Sequence, residues 1–229
     1  MTSISLRLGF AGAAFWLAGS YAPAQALPGD ADLRTFAVHI NRTPLQSWPG
    51  YGIYLGNGLI LTAAHVPGNF AKTRPHVLIA DQDLPASLVK EGSLEAVDLT
   101  LMSVDATKLP VRLRMRRMPL CENAPIAGEA VVVAIPEGTA RSHVLPPSAV
   151  PVDLRGRFDT VIGDVATTGN SGSGVFDAWK QCLLGIISRK ISVGRRAVGP
   201  DAPGQSRDIA KYFVPVGDIK TFLPKDVSF

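Results

Sequence analysis

The sequence predicts an all-β protein, because short apolar runs alternate throughout with turn-forming residues. The 229 residues include 22 glycines and 18 prolines, and these are spread along the chain rather than gathered in one segment. Many short strands separated by such turns are typical of β-barrels. Only Gly217–Leu223 has a helical pattern. We therefore expect a sheet protein with one short closing helix.

The clearest strand pair surrounds the turn Gly56-Asn57-Gly58. Residues 51–55 and 59–62 on either side are apolar, and Asn-Gly between two apolar runs is a strong signal for a β-hairpin. Further apolar runs predict strands at 130–135, 174–176, 183–187 and 214–216, the second and third of these forming another hairpin.

Residues 1–26 have the pattern of a signal peptide. Arg7 is their only charged residue, an apolar run covers Leu8–Ala18, and Ala24-Gln25-Ala26 supplies small residues for cleavage. The run is shorter than the roughly 20 residues that span a bilayer. We expect a secreted or periplasmic chain that starts near Leu27, with no stable membrane insertion after signal cleavage.

Composition excludes several function classes. Hydrophobic residues make up 46% of the chain and charged residues 18%, which is typical of a folded globular protein. The net charge of +4 is too small to indicate a nucleic-acid partner. No C-x₂-C pair, H-E-x-x-H motif or phosphate-binding loop is present, so no metal site and no cofactor are expected. Calcium bound by loops stays open.

The chain contains two cysteines, Cys121 and Cys182. In an exported protein an even number of cysteines indicates a disulfide. Two buried free thiols are the alternative.

Three polar residues stand in settings that would fix their side chains. His65 ends the run LTAAH, Asp98 lies in VDLTL, and Ser171 lies in TGNSGSGVF. A serine hydroxyl needs a base to become a nucleophile. A histidine, with an ordinary pKa of about 6.5, can accept and return that proton. An aspartate can orient and stabilise the histidine. The apolar neighbours of Asp98 predict a carboxylate shielded from water.

The order His, Asp, Ser and these flanking residues resemble the trypsin/chymotrypsin-like serine peptidase family, in particular a bacterial branch similar to glutamyl endopeptidases. The α/β-hydrolases have the order Ser, acid, His and a G-x-S-x-G motif, whereas here Ser173 stands two residues after Ser171. The resemblance spans most of the chain after the first thirty residues.

This resemblance implies two antiparallel six-stranded β-barrels with a short C-terminal helix. The N-terminal barrel, residues 27–114, would carry the histidine and the aspartate, and the C-terminal barrel, residues 115–229, would carry the nucleophile. It also implies a bridge between the segment that enters the second barrel and the strand region after the nucleophile, where Cys121 and Cys182 lie.

By the same resemblance the protein is a serine endopeptidase that forms an acyl-enzyme, with His65, Asp98 and Ser171 as catalytic triad. The backbone amides of Gly169 and Ser171 would form the oxyanion hole. Family members have the nucleophile directly after a Gly-Asp or Gly-Asn pair, which selects Ser171. Ser173 is then expected to be a packed hydroxyl.

Specificity follows from the same comparison. Val165, six residues before the nucleophile, would lie near the base of the substrate pocket, so cleavage after Lys or Arg is not expected. Ser188 and Lys190 would lie in the pocket wall. Positive side chains near that wall lead to the hypothesis that acidic substrate side chains are preferred; they are Arg189, Lys190 and Lys211.

Two alternatives remain open for the function. One is a catalytically inactive chymotrypsin-fold binding protein in the cell envelope, and the other is an enzyme of this fold that acts on esters. The expected partner is a protein or peptide substrate, and a monomer is expected. Activation by an ion pair with a new N-terminus is not expected, because Asn170 stands where digestive members carry Asp.

A basic segment, residues 112–117, allows two interpretations. Four arginines there partly alternate with apolar residues. They could form a patch for an anionic partner. A solvated strand or connector face is the preferred interpretation.

Overall fold

The computed structural model describes residues 29–41, 50–163, 171–195 and 205–225. The predicted signal peptide and the predicted site residues Val165 and Gly169 lie outside these ranges, as does Asn170. Within them the chain forms two antiparallel sheets and a few short helices.

The first sheet has seven strands in the order β5-β4-β1-β2-β3-β7-β6. They are β1 (Ala37–Asn41), β2 (Gly50–Gly56), β3 (Leu59–Thr62), β4 (His76–Ile79), β5 (Gln82–Pro85), β6 (Ser87–Glu91) and β7 (Thr100–Ser103). The edge strands β5 and β6 are joined by Ala86 alone, so the sheet must roll until its edges meet. The first sheet is therefore a curled half-barrel.

The second sheet has six described strands in the order β10-β13-β12-β11-β8-β9. They are β8 (Ala130–Ile135), β9 (Gly138–His143), β10 (Val161–Gly163), β11 (Gly174–Asp177), β12 (Leu183–Arg195) and β13 (Gln205–Pro215). Val144, directly after β9, bridges to Ile162 in β10. This contact joins the two edge strands and rolls the second sheet as well.

Four short α-helices accompany the sheets: α1 (Asp30–Arg34), α2 (Phe70–Thr73), α3 (Val111–Arg114) and α4 (Val216–Phe222). The closing helix α4 confirms the expected C-terminal helix. The expectation that no other segment is helical was wrong. Helix α3 lies in the basic segment, where a strand or connector was expected. At four or five residues, the first three helices are too short to show an apolar period in the sequence.

A shared apolar cluster holds the two sheets together. It combines Ile53 and Leu99 from the first half of the chain with Phe176 and Ile186 from the second, all fully buried. Each sheet also has a cluster of its own, around Tyr54 in the first and Phe213 in the second. The all-β prediction of two rolled antiparallel sheets is confirmed.

The chain crosses from the first sheet to the second over a few residues. The amide of Met118 donates to the Leu55 carbonyl in β2, and the amide of Cys121 donates to the Leu183 carbonyl in β12 (both 3.0 Å). Cys121 and Cys182 form a disulfide, as predicted, with their Cα atoms 5.0 Å apart. The bridge fastens the end of the crossing to the second sheet.

The two sheets are in close contact at Gly172. The Tyr51 amide in β2 donates to the Ser171 carbonyl (3.2 Å), and the Gly172 amide donates to the Ile187 carbonyl in β12 (2.8 Å). Gly172 has φ +90°, and a Cβ there would overlap the Tyr51 carbonyl oxygen and lie 2.5 Å from Thr62 Oγ1. Only glycine fits this conformation and this approach.

We therefore expect Gly172→Ala to lower the free energy of unfolding by about 2–3 kcal/mol, because backbone must move to make room for the methyl group. Urea unfolding of the purified protein measures the change. The control is Gly217→Ala in α4, where a Cβ meets nothing within 4 Å and φ is not positive. Equal stability of the two variants would contradict the interpretation.

Candidate active site

The first sheet brings His65 and Asp98 to the same edge. Strands β3 and β7 are antiparallel neighbours, and Thr62 pairs with Thr100 at the ends of the ladder. His65 follows β3 by three residues, and Asp98 precedes β7 by two. The end of one antiparallel strand lies beside the start of its neighbour. The two side chains therefore meet although 33 residues separate them.

The His65 ring is held by the Asp98 carboxylate. Nδ1 lies 3.0 Å from Oδ2 and 3.1 Å from Oδ1, and the His65 amide also donates to Oδ1 (3.3 Å). The Asp98 side chain is 2% exposed, as the apolar sequence around it predicts, whereas the His65 side chain is 35% exposed. In this geometry Nδ1 carries the proton and donates to Asp98, so Nε2 is the ring nitrogen that can accept a proton.

Ser188 supplies a further donor to Asp98 from the other sheet. Its hydroxyl, fully buried in β12, donates to Asp98 Oδ2 (2.5 Å). Burial alone would raise the pKa of Asp98. The hydrogen bonds from His65 and Ser188, together with the nearby His65 ring, outweigh burial and hold the pKa of Asp98 below its ordinary value. The carboxylate is therefore ionised at neutral pH.

Ser171 joins the same network at the second sheet. It lies just before β11 and is partly exposed, and its hydroxyl donates to the Ser188 main-chain carbonyl (3.1 Å). Among the described residues it makes no hydrogen bond to His65. A single chain of contacts thus runs from Ser171 through Ser188 and Asp98 to His65.

The Ser171 amide is a candidate donor to a developing oxyanion. It has no acceptor among the described residues, whereas the next amide, that of Gly172, is bonded to Ile187. An amide left without a protein acceptor beside a nucleophile can stabilise negative charge on a bound carbonyl. Gly169, the other predicted donor, lies outside the described residues.

The neighbouring serine is enclosed. The Ser173 side chain is fully buried, which confirms that it is a packed hydroxyl, and its carbonyl accepts from the Ile187 amide (2.8 Å). The contact between Ser188 Oγ and Asp98 did not follow from the sequence, which suggested only a place in the pocket wall. No local pattern signals a bond between residues 90 apart.

A small cavity of about 100 Å³ beside Asp98 is lined by Arg157 and Arg189, and also by the acids Glu95 and Asp218. The Arg189 guanidinium lies over the Phe158 ring (5.3 Å) and donates to the Leu94 carbonyl (3.0 Å), and Arg157 lies over the same ring (5.3 Å). Tyr212 also lines the cavity, and burial raises its pKa.

The two lysines named with the pocket have different surroundings. Lys190 is exposed and forms an ion pair with Asp208 (2.7 Å). Lys211 is buried opposite Lys190 on β13. The hydrogen bond from Lys190, followed by one from Ser192, lowers the pKa of Asp208.

Two further observations concern the whole described chain. None of its described helices has the length and apolar character needed to cross a membrane. Over the same residues, His, Cys, Asp and Glu side chains do not gather in groups of three that could hold a metal ion.

Comparison with solved structures identifies the fold. The chain is similar to the Rv3671c protease of M. tuberculosis in its active form, at 16% identity and a TM-score of 0.58 over 84% of this chain and 81% of that one. It is similar to kallikrein-related peptidase 10 at 18% identity and a TM-score of 0.58, over 82% and 93% of the two chains.

A third similar structure is the MamO protease domain of Magnetospirillum magneticum, at 17% identity and a TM-score of 0.53 over 84% of this chain and 98% of that one. No protein-family profile matches the sequence, and no curated protein matches it. The fold is chymotrypsin-like, and its structural neighbours are serine proteases.

We expect Ser188→Ala to destabilise the protein by about 1.5–3 kcal/mol at neutral pH, the usual worth of a hydrogen bond to a charged group. A lowered pKa in the folded state gives stability that is present above the unfolded pKa and lost as the pH falls through the folded pKa. The deficit of Ser188→Ala should therefore shrink in acid, because protonation of Asp98 removes the same stabilisation from the wild type.

Urea unfolding at neutral and acidic pH measures this difference. Ser192→Ala is the control, because Ser192 lies on the same strand as Ser188 and its hydroxyl bonds the partly exposed carboxylate of Asp208 on β13 (2.6 Å). A deficit of Ser188→Ala that does not change with pH would contradict the assignment to Asp98.

Proposed function

We propose that this chain is an exported serine endopeptidase that hydrolyses peptide bonds through an acyl-enzyme, with His65, Asp98 and Ser171 as the triad. The observation that carries the proposal is the buried, ionised Asp98 carboxylate that holds His65 Nδ1 at 3.0 Å. A histidine fixed in this way has its second nitrogen available for proton transfer. The chymotrypsin-like fold of the structural neighbours supports the proposal.

In the proposed mechanism the Ser171 hydroxyl turns from the Ser188 carbonyl toward His65 Nε2. Oγ then attacks the substrate carbonyl carbon as its proton passes to Nε2, and the carbonyl oxygen becomes an oxyanion facing the amides of Ser171 and Gly169. Collapse of this intermediate breaks the C–N bond, and the amine leaves with the proton from Nε2. Water hydrolyses the ester by the same steps, and Ser171 recovers its proton.

The mechanism explains why Asp98 is held by several donors. Imidazolium forms on His65 in both halves of the reaction, and a nearby carboxylate stabilises that charge. Asp98 needs no proton of its own for this role. A donor from Ser188 and a donor from the His65 backbone keep the carboxylate ionised and aimed at Nδ1.

We further propose that acidic substrate side chains are preferred, as in the glutamyl endopeptidase branch. Arg189 and Arg157 lie on Phe158 beside the triad, and among the described residues neither forms an ion pair. Of the acids that line the same cavity, Asp98 is already bound by His65 and Ser188. Arg189 Nη2 is bound only to a carbonyl, that of Leu94. The side chain thus retains its charge for an anionic group on the substrate.

Export is the third part of the proposal. The pattern of residues 1–26 supports it, and so does the disulfide between Cys121 and Cys182, since such bonds persist in oxidising compartments.

An inactive binding protein is the second candidate. The observation that favours it is the Ser171 hydroxyl, which donates to Ser188 rather than to His65. If this rotamer is fixed, the serine has no base and does not react.

A fluorophosphonate probe separates these candidates. We expect one covalent adduct on the wild type, measured by intact mass, and none on Ser171→Ala, because only an activated serine reacts. Ser173→Ala is the matched control and should keep the adduct, because the Ser173 side chain is enclosed. A folded wild type that forms no adduct would favour the binding protein.

A peptide library tests specificity. We expect preferential cleavage of peptides with Asp or Glu near the scissile bond, and Arg189→Gln should reduce that preference in kcat/KM by roughly tenfold. Lys108→Gln removes an exposed charge between β7 and α3 and should leave the preference for acidic side chains unchanged. Cleavage mainly after Leu or Phe would contradict the proposal.

A further inference from the structure

A second cavity lies on the first sheet, outside the candidate active site. Its volume is about 390 Å³, against about 100 Å³ for the cavity beside Asp98. The cavity lies between α1 with β1, the β4–β5 turn, and the α3 segment. Pockets that bind small ligands have volumes of about 300–1,000 Å³. The size is therefore sufficient for a small molecule.

Three arginines give this cavity its charge. Arg34, Arg112 and Arg116 line it, and within the described ranges none has a carboxylate at ion-pair distance. Arg34 donates through Nε and Nη2 to the Pro136 carbonyl (3.2 and 2.7 Å), and Arg116 donates to the Thr35 hydroxyl. These neutral acceptors position the side chains and leave their charges uncompensated.

The structure shows which arginines of the basic segment take part. Arg112 lies in α3 and Arg116 two residues after its last residue, beyond the C-cap Met115, and both line the cavity. Arg114 lies between them and does not line the cavity. The sequence suggested either an anionic partner or a solvated face for this segment. The structure fits the first interpretation for Arg112 and Arg116, which line the cavity, and the second for Arg114, which is exposed outside it.

One residue of the cavity lining, His39, has a ring nitrogen without a hydrogen-bond partner among the described residues. His39 lines the cavity, and its Nε2 forms an ion pair with Glu137 (2.9 Å). Its Nδ1 is buried and bonds to no described residue. Buried polar atoms in native proteins nearly always have a partner. Because Nδ1 has almost no accessible surface, it does not open onto the cavity and takes no part in the binding inferred below.

The rim of the cavity is also unusual in its backbone. The two residues of the β4–β5 turn, Ala80 and Asp81, have φ of +50° and +61°. Side chains other than glycine adopt this region at a cost of roughly 1 kcal/mol or more. Asp81 is the one acid among the lining residues. With three arginines against this one carboxylate, the cavity lining keeps a net positive charge.

From these observations we infer that the cavity is a binding site for a small molecule that carries an oxyanion, either a phosphate or a carboxylate group. Guanidinium groups bind both through paired, charge-assisted hydrogen bonds. Arg112 and Arg116 approach from one side and Arg34 from another, which suits a ligand with more than one anionic oxygen.

The inferred site does not depend on the proposed function. His39 pairs with Tyr51 across β1 and β2, and the Tyr51 amide bonds the Ser171 carbonyl, so the cavity lies behind the strands that support the nucleophile. None of the arginines belongs to the triad network. Binding can therefore be measured in Ser171→Ala, and its outcome is separate from catalysis.

Isothermal titration calorimetry with pyrophosphate and with citrate, at constant ionic strength and millimolar concentration, tests the inference. We expect saturable binding of one molecule to Ser171→Ala. Adding Arg112→Gln should weaken binding about tenfold, because one charge-assisted contact is lost. The Arg112 side chain is exposed and donates no hydrogen bond to a described residue, so its replacement should not affect folding. Arg114→Gln is the matched control and should bind as the parent does.

Pyrophosphate binding alone would identify a phosphate site, citrate binding alone a carboxylate site, and binding of both a general oxyanion site; each outcome supports the inference. Two outcomes would overturn it. One is the absence of saturable binding with both probes. The other is equal weakening by Arg112→Gln and Arg114→Gln, which would show attraction to overall charge rather than to the cavity.

Discussion

The carboxylate of Asp98 is the point on which the two sheets and the candidate site depend together. A buried charge is costly unless donors surround it, and here the donors come from both halves of the chain: His65 from the first and Ser188 from the second. The sheets must dock in one relative position to satisfy it. The contact of Gly172 with Tyr51 fixes the same position through shape, since a larger residue would separate the sheets. Charge and packing thus select one arrangement.

Much of the fold could be predicted because its signals are local. The turn at Asn57, which has φ +51°, is what Gly-Asn-Gly between apolar runs indicates, and the apolar run at 130–135 forms β8 as expected. His65, Asp98 and Ser171 stood out for a similar reason. Each lies in a short segment whose apolar or glycine-rich neighbours constrain the backbone, and those constraints can be recognised without knowledge of the tertiary contacts.

What the sequence did not predict depends on contacts between distant residues. The hydroxyl of Ser188 has no special neighbours, and its bond to Asp98 exists only because two sheets meet. Helix α3 has only four residues and leaves no periodic pattern in the sequence. Arg112 and Arg116 line one cavity with Arg34, and this grouping depends on the position of α1 as well. The proposed substrate specificity also depends on contacts between distant residues, because Arg189 contacts Phe158 and Leu94, which come from separate loops.

The short crossing between Met118 and Cys121 has a consequence for biosynthesis. His65 and Asp98 lie before the crossing, whereas Ser171 and Ser188 lie after it. When the ribosome has reached Met118, all strands of the first sheet have been synthesised. The Asp98 carboxylate must nevertheless stay hydrated until β12 emerges, because Ser188 of β12 is one of its donors. The proposed nucleophile is added late and is aligned only when the second barrel closes on the first. Between the synthesis of His65 and that of Ser171, the nascent chain therefore carries the proposed base without the proposed nucleophile.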